Sequence, residues 1–310
     1  MMKIGILGIG GVGGYVGGRL AEKYAGSADI RIIFLARNEN KKRIRESGLK
    51  LVSASGEKVV RPCLVSDDPD ESGMIDLLVC TVKTYDLTEA IRHYKSCIGS
   101  HTIILPLENG VDAAEKIRKV LPDARIWKGC VYVNARLVEP GVVNQIGTNL
   151  SVFFGSSQAT DEELRSVETI FRNAGIETKV PGNILQTTWE KFVFISSIAT
   201  ITSYLDVTIG ELISSEKNKM LLEALLEEAK SVAHAKGIVL ADNLTENLLK
   251  RAHSLPYEAT SSMHTDFRNN KKTEIDSLTG YIIREAKSYH LPVPTYEMMY
   301  EVLVKKASLI

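Results

Sequence analysis

Short apolar runs recur through the first third of the chain, at residues 4–7, 30–35, 77–82 and 102–105. Polar, helix-compatible stretches accompany them at 15–24, 41–47 and 113–120. That alternation predicts βαβ units and a doubly wound, mostly parallel sheet. Two shorter β-like stretches, 130–134 and 152–155, flank the turn residues Glu139, Pro140 and Gly141. A polar helix over 161–174 and a last strand over 177–180 close this first domain. After Pro181 and Gly182 the strand patterns vanish. Leu221, Leu225, Ala229 and Val232 recur at spacings of three and four, as do Ile275, Leu278, Ile282 and Ala286. Those are helical periods, with stop signals at Gly237 and at Leu291-Pro292. The expected organisation is an α/β domain over 1–182 and an all-helical domain over 183–310.

Composition narrows the class. The chain has 310 residues, 44% hydrophobic and 25% charged, which suits two soluble globular domains. Its 38 basic residues balance its 38 acidic ones, so no electrostatic footprint for nucleic acid is present. The cysteines, at 63, 80, 97 and 130, form no CxxC pair and have no histidine at metal-ligand spacing. Free thiols in a reducing compartment are expected, with no metal site. A strand pattern starts at Lys3 and runs straight into glycines, which argues against a signal peptide. The longest apolar run, 192–205, is interrupted by Ser196, Ser197, Thr200, Thr202 and Ser203 and falls short of the roughly 18 residues of a membrane span. The expected location is cytoplasmic, with no membrane partner.

Gly8, Ile9, Gly10, Gly11, Val12 and Gly13 spell G-x-G-x-x-G between the first strand and the first helix. In that context the motif predicts a Rossmann-type dinucleotide site. Gly8 permits the tight turn, Gly10 lets backbone approach a pyrophosphate, and Gly13 allows close helix–strand packing. Phosphate is favoured at the helix N-terminus by free N–H groups and the dipole. The second strand ends in Ala36-Arg37, with no acid to hold a ribose 2′-hydroxyl. Arginine there suits the 2′-phosphate of NADP(H); alone, it also reads as a solvated surface charge.

Four further stretches carry a family resemblance: Thr81-Val82-Lys83, Leu107-Glu108-Asn109-Gly110, Trp189-Glu190-Lys191, and Ser261-Ser262-Met263 leading to Thr273-Glu274-Ile275-Asp276. In this order and spacing the chain resembles the ketopantoate reductase (2-dehydropantoate 2-reductase) family from Lys3 to about Pro294. The resemblance implies NADPH-dependent reduction of a 2-oxo acid to a 2-hydroxy acid, most directly of ketopantoate in pantothenate biosynthesis. It implies that Lys83 contacts NADP and that Ala135 makes a backbone contact to it. Asn109 then touches nicotinamide and substrate, and Lys191 is the proton donor. Ser262 binds substrate, and Glu274 is an active-site acid near the nicotinamide ribose.

The implied chemistry is coherent. Hydride addition to a 2-oxo carbon builds negative charge on the carbonyl oxygen, which a positioned ammonium stabilises and protonates. Lys191 is flanked by Trp189, Phe192, Val193 and Phe194, the apolar setting that suits this task. Each residue taken singly also has a plainer reading. Lys191 can snorkel to water, Glu274 can complement a helix dipole, and Ser262 can cap a helix. Lys83 can be a solvated loop charge, and Asn109-Gly110 a simple turn. The histidines form no constellation; His264 is notable only for lying near Ser262.

One departure touches the substrate. The family usually carries asparagines where this chain has Ile195, Ala199 and Ile209. Residues 191, 195 and 199 share one helix face, so the stripe leading away from Lys191 is apolar. Two readings stay open: nearby hydroxyls (Ser196, Ser203, Thr208) replace the amides, or the substrate is a less polar 2-oxo acid or ketone. Two other functions compete, a non-catalytic NADP(H)-binding sensor and a dehydrogenase of a phosphorylated substrate. The second of these wants a cation cluster, of which only Arg268, Lys271 and Lys272 are candidates. The apolar residues of 298–310 are compatible with a homodimer formed through the helical domain.

Overall fold

Strand β1 (Met2–Leu7), helix α1 (Gly11–Lys23), strand β2 (Ile30–Leu35) and helix α2 (Asn38–Ser47) begin the chain. A hairpin of β3 (Leu49–Ser53) and β4 (Gly56–Val60) follows, then β5 (Leu64–Ser66), α3 (Pro69–Ser72), β6 (Ile75–Cys80), α4 (Leu87–His93) and β7 (Ile98–Pro106). Next come α5 (Ala113–Arg118), β8 (Arg125–Ile126), the long hairpin β9 (Lys128–Glu139) and β10 (Val142–Gly155), α6 (Asp161–Asn173) and β11 (Glu177–Lys179). This is a computed structural model, and it describes residues 1–310 apart from the side chains of residues 148 and 149. Two units result: Met1–Glu108 with Ala113–Ile184, and Asn109–Asp112 with Leu185–Ile310.

Among the described residues, the strands of the first unit form two sheets. One is wholly parallel, in the order β5-β2-β1-β6-β7-β8. Its continuous apolar runs have a direct cause. Ile32, Phe34, Leu77 and Val79 enter one core cluster, while Ile33, Leu35, Leu78 and Cys80 enter the other. Side chains alternate across a strand, so a sheet covered on both faces is apolar at successive positions. The expected Rossmann-type doubly wound sheet is therefore present. The run at 77–82 stops two residues early because the Thr81 amide and hydroxyl both turn back to the Leu7 carbonyl.

A second, mixed sheet was not foreseen. Its order is β11-β10-β3-β4, with β9 antiparallel on β10. The stretches expected at 130–134 and 152–155 belong here, as parts of much longer strands. Strand β4 leaves almost no apolar signature, since Gly56, Glu57, Lys58 and Val59 are all exposed. Helix α1 packs against both sheets: a Cβ on its Gly17 would meet Ile6 and Phe34, and one on its Gly14 would meet Val143.

The second unit is helical: α7 (Ile184–Leu205, starting at the junction), α8 (Ile209–Ile213), α9 (Glu216–Ala235), α10 (Leu244–Ser254), α11 (Ser262–Arg268), α12 (Ile275–Ser288) and α13 (Pro294–Ala307). Phe192 of α7 packs edge-on with Trp189 of the same helix and with Tyr281 of α12 in its core. In α13, Tyr296, Met299 and Leu303 are buried while Met298 and Val302 point outward. Helix α7 is buried along most of its length, so its hydroxyls must find partners inside. Ser196 and Ser197 share the Tyr296 hydroxyl at 2.9 and 3.1 Å. Thr200 meets Thr279 at 2.8 Å, and Thr202 meets Ser261 at 2.9 Å. Burial pushes the Tyr296 phenol well above its ordinary range, so it stays protonated. Among the described residues no helix is long and apolar enough to cross a membrane.

Tyr296→Phe strips both serines of their shared partner while keeping the ring. A loss of about 1–3 kcal/mol in unfolding free energy is expected, measured by urea titration of the full chain.

Candidate active site

The glycine motif folds as a cradle at the C-terminal edge of the parallel sheet. Gly8 leaves β1 with φ +95°, a conformation L side chains rarely adopt, and its amide bonds the Leu35 carbonyl at 3.2 Å. A Cβ on Gly13 would lie 2.1 Å from the Gly8 carbonyl oxygen and 2.2 Å from Thr81 Oγ1. A Cβ on Gly11 would lie 2.1 Å from the Ala135 carbonyl oxygen, which brings β9 against the start of α1. Gly10 is different. It is the N-cap of α1, and nothing lies within 4 Å of where its Cβ would be. Open space over a helix N-terminus is what an approaching phosphate needs, so this loop fits a dinucleotide. Asn40 braces it, donating to the Ile9 carbonyl at 2.6 Å and accepting from the Gly141 amide at 2.8 Å.

Arg37 is the N-cap of α2, just past β2, with its side chain 63% exposed. Its Nη2 lies 3.4 Å from Asp86 Oδ2. Lys83 stands between β6 and α4. Strands β2 and β6 flank β1, so residues leaving their C-terminal ends border the glycine loop on either side. The first unit thus gathers Gly8 to Gly13, Arg37, Lys83 and Ala135 around one sheet edge.

The second unit gathers the others. Lys191, only 6% exposed, donates to Asn109 Oδ1 at 3.1 Å. Asn109 follows a strand of the first unit, yet the segment Asn109–Asp112 clusters with the helices. Val111 packs on the helical core, and Ser277 Oγ of α12 donates to Asp112 Oδ2 at 3.1 Å. Glu274, 4% exposed, is the N-cap of α12, with no cap hydrogen bond from its side chain. Ser262 is exposed and is the first residue of α11; the cap expected of it is made instead by Ser261, which accepts from the His264 amide at 3.0 Å. The reason is register. Helical φ/ψ start at Ser262, so the cap falls one residue earlier.

Family models for "Ketopantoate reductase PanE/ApbA" and its C-terminal domain match residues 4–159 and 183–307. The chain belongs to the ketopantoate reductase family. A Halobacterium salinarum 2-dehydropantoate 2-reductase is 29% identical over 97% of this chain and 98% of its own. A Bacillus subtilis protein named uncharacterized oxidoreductase YkpB is also 29% identical, over 96% and 97%. The crystal structure of 2-dehydropantoate 2-reductase from Porphyromonas gingivalis is 34% identical, with a TM-score of 0.84 over 98% of this chain and 99% of that one. The chain is therefore an oxidoreductase acting on a CH–OH/C=O group, of a family that uses NAD(P)H. The sensor and phosphorylated-substrate readings fall away.

Of the apolar positions noted in the sequence, Ile195 and Ala199 lie on α7 and Ile209 opens α8. Ala199 and Ile209 are buried and Ile195 is half-buried. Two of the three hydroxyls expected to compensate are committed elsewhere: Ser196 to Tyr296, and Thr208 to the capping box of α8. Ser203 is fully buried, and its Oγ has no hydrogen-bond partner among the described residues. The histidine expectation also needs correction. His264 is not filler: it is fully buried and hydrogen-bonded through both ring nitrogens. Only its proximity to Ser262 signalled this in the sequence. Of the cysteines, Cys80, Cys97 and Cys130 are buried and Cys63 is exposed, all as free thiols.

The glycines separate by what a methyl group would meet. Gly13→Ala forces a backbone contact and should cost about 2–3 kcal/mol of stability. Gly10→Ala enters open space and should cost under about 1 kcal/mol. Thermal unfolding of both variants checks the contrast.

Proposed function

We propose that this chain is an NADPH-dependent reductase of a 2-oxo acid, with Lys191 as the proton donor. The observation that carries the reading is the buried Lys191 ammonium hydrogen-bonded to Asn109. When bound, reduced nicotinamide supplies the hydride that forms the new C–H bond at the 2-oxo carbon. The Lys191 ammonium stabilises the charge building on the carbonyl oxygen and passes a proton to it, leaving the 2-hydroxy acid and a neutral amine that solvent reprotonates. Asn109 holds that ammonium in place through its Oδ1. In this reading Ser262 binds the substrate carboxylate and Glu274 orients groups beside Lys191. Gly8 to Gly13 take the pyrophosphate, Arg37 and Lys83 the 2′-phosphate end, and the Ala135 backbone the nicotinamide end. The outward face of α13 is where self-association would form.

Ketopantoate is the first substrate to test, since the Halobacterium salinarum and Porphyromonas gingivalis relatives above are named for it. A specific observation favours a second reading. With Ser196 and Thr208 committed, the stripe of Ile195, Ala199 and Ile209 offers few partners for a substrate hydroxyl. A site without such partners selects weakly for the hydroxyl, by about 10²-fold at most. Ketopantoate should then hold little advantage over its analogue lacking the hydroxyl, 2-oxoisovalerate. Comparing kcat/KM for the two with NADPH decides between the readings, and a ketopantoate preference above several hundredfold returns the first.

Lys191→Ala should lower kcat by about 10²–10⁴-fold while NADPH affinity, read by fluorescence titration, holds. Unchanged kcat would remove Lys191 from the reaction. Arg37→Ala should weaken NADPH binding by about 10–100-fold, the worth of a charge-assisted hydrogen bond, and leave NADH binding unaltered. Asp86→Asn, which frees the same guanidinium from its carboxylate, should shift the ratio of the two affinities the opposite way.

A further inference from the structure

The helical unit contains a polar cluster that the proposed reaction does not use. His264 is fully buried on α11. Its Nδ1 lies 2.5 Å from Thr260 Oγ1 and its Nε2 lies 2.6 Å from Asp206 Oδ1. Asp206 sits just past the end of α7 with φ +56°, a left-handed conformation that Asp tolerates better than most side chains do. It is over-determined there: Arg268 Nε donates to the same carboxylate oxygen at 2.9 Å, and Arg268 Nη2 to the Asp206 carbonyl at 3.4 Å. Hydrogen bonds from His264 and Arg268 hold the Asp206 carboxyl down at about 2, so it is ionised at neutral pH. A carboxylate only accepts, so Nε2 carries a proton toward Asp206. In the neutral ring Nδ1 then accepts from the Thr260 hydroxyl.

The cluster surrounds Ser262 in sequence. Thr260 is held by the ring. Ser261 caps α11 through the His264 amide, at 3.0 Å, and meets Thr202 of α7 at 2.9 Å. His264 itself reaches the end of α7. Residues two apart on a helix point about 200° apart, so His264 faces inward where Ser262 faces out. Both anchors, Thr202 and Asp206, belong to the end of the helix that carries Lys191.

We propose that His264 is a positioning residue for Ser262: by bridging Thr260 to Asp206 it sets where the Ser262 hydroxyl stands relative to Lys191. This rests on the reading of Ser262 as a substrate contact and adds the device that holds it. Removing the imidazole cuts the bond from the first turn of α11 to Asp206 and leaves the Thr202–Ser261 contact there, with Arg268 holding the far end of the helix. Ground-state binding of the 2-oxo acid then suffers, while the proton donor and the dinucleotide cradle are untouched.

The test uses the full chain and the best 2-oxo acid from the substrate panel, at saturating NADPH. His264→Ala should raise KM about tenfold, as misplacement of one binding contact does, with kcat within about twofold and NADPH affinity unchanged. His264→Gln supplies a donor for Asp206 and an acceptor for Thr260, and should recover most of the loss. Ser262→Ala should raise KM by itself, and His264→Ala added to it should do little more, because the two act as one unit. Thr260→Val and Asp206→Gly, each removing one half of the bridge, give smaller rises and stand in if His264→Ala does not fold. A folded His264→Ala protein with wild-type KM overturns the proposal, as does full additivity with Ser262→Ala. If Ser262→Ala leaves KM unchanged, the substrate role of Ser262 fails and takes the positioning role with it. A rise in Ser262→Ala without one in His264→Ala sinks the positioning role alone.

Discussion

A helix buried along most of its length cannot leave polar side chains to water, and that constraint governs the helical unit. Helix α7 carries Lys191, Ser196, Ser197, Thr200 and Thr202 inside the protein. A buried polar group without a partner costs about 1–3 kcal/mol; each of these meets a group on another element, and Ser203 Oγ of the same helix is the exception among the described residues. Lys191 takes Asn109, the serines take Tyr296 of α13, Thr200 takes Thr279 of α12, and Thr202 takes Ser261 before α11. Apolar packing alone tolerates sliding and repacking. Directional bonds at these points do not, so α7 sets the register of the segments bearing Asn109, Ser262 and Glu274.

The first unit reaches precision by a different route, through contacts too close for a side chain. Gly11 and Gly13 each place backbone where a Cβ would fall 2.1 Å from a carbonyl oxygen. Glycine costs a helix about 1 kcal/mol per residue relative to alanine, so α1 is a poor helix in isolation. It persists because it is pressed against both sheets. Beside these closed positions Gly10 alone of the loop glycines faces open space.

Those two mechanisms explain what could be read from the residues. The parallel sheet was legible because covering both faces makes its strands uniformly apolar, and the glycine loop because its spacing is a steric requirement. The helical unit was legible in α9 and α12, whose apolar stripes keep a regular period. The mixed sheet was largely hidden: β4 is almost wholly exposed and pairs only as the outer arm of a hairpin with β3, while β3 joins the sheet through β10, about 90 residues away. Neither the placement of Asn109 among the helices nor the partners of His264 could be found by spacing. Both depend on groups about 60 to 80 residues away, Lys191 for Asn109 and Asp206 for His264. Capping by Ser261 rather than Ser262 is a matter of one residue in helix register, below what a pattern resolves.

The apolar stripe on α7 bears on breadth more than on identity. A surface of Ile195, Ala199 and Ile209 distinguishes substrates by shape, and one methylene is worth only about 1–3 kcal/mol in such contacts. Strong rejection arises when a buried polar group loses its partner, as an asparagine would before a substrate lacking a hydroxyl. At these positions this chain carries side chains that have nothing to lose. In the proposed reaction the groups common to all 2-oxo acids, the carbonyl oxygen and the carboxylate, meet Lys191 and Ser262. On that proposal catalysis would be uncoupled from recognition of the rest of the substrate, which argues for a reductase tolerant of side-chain variation rather than one retuned to a single new acid.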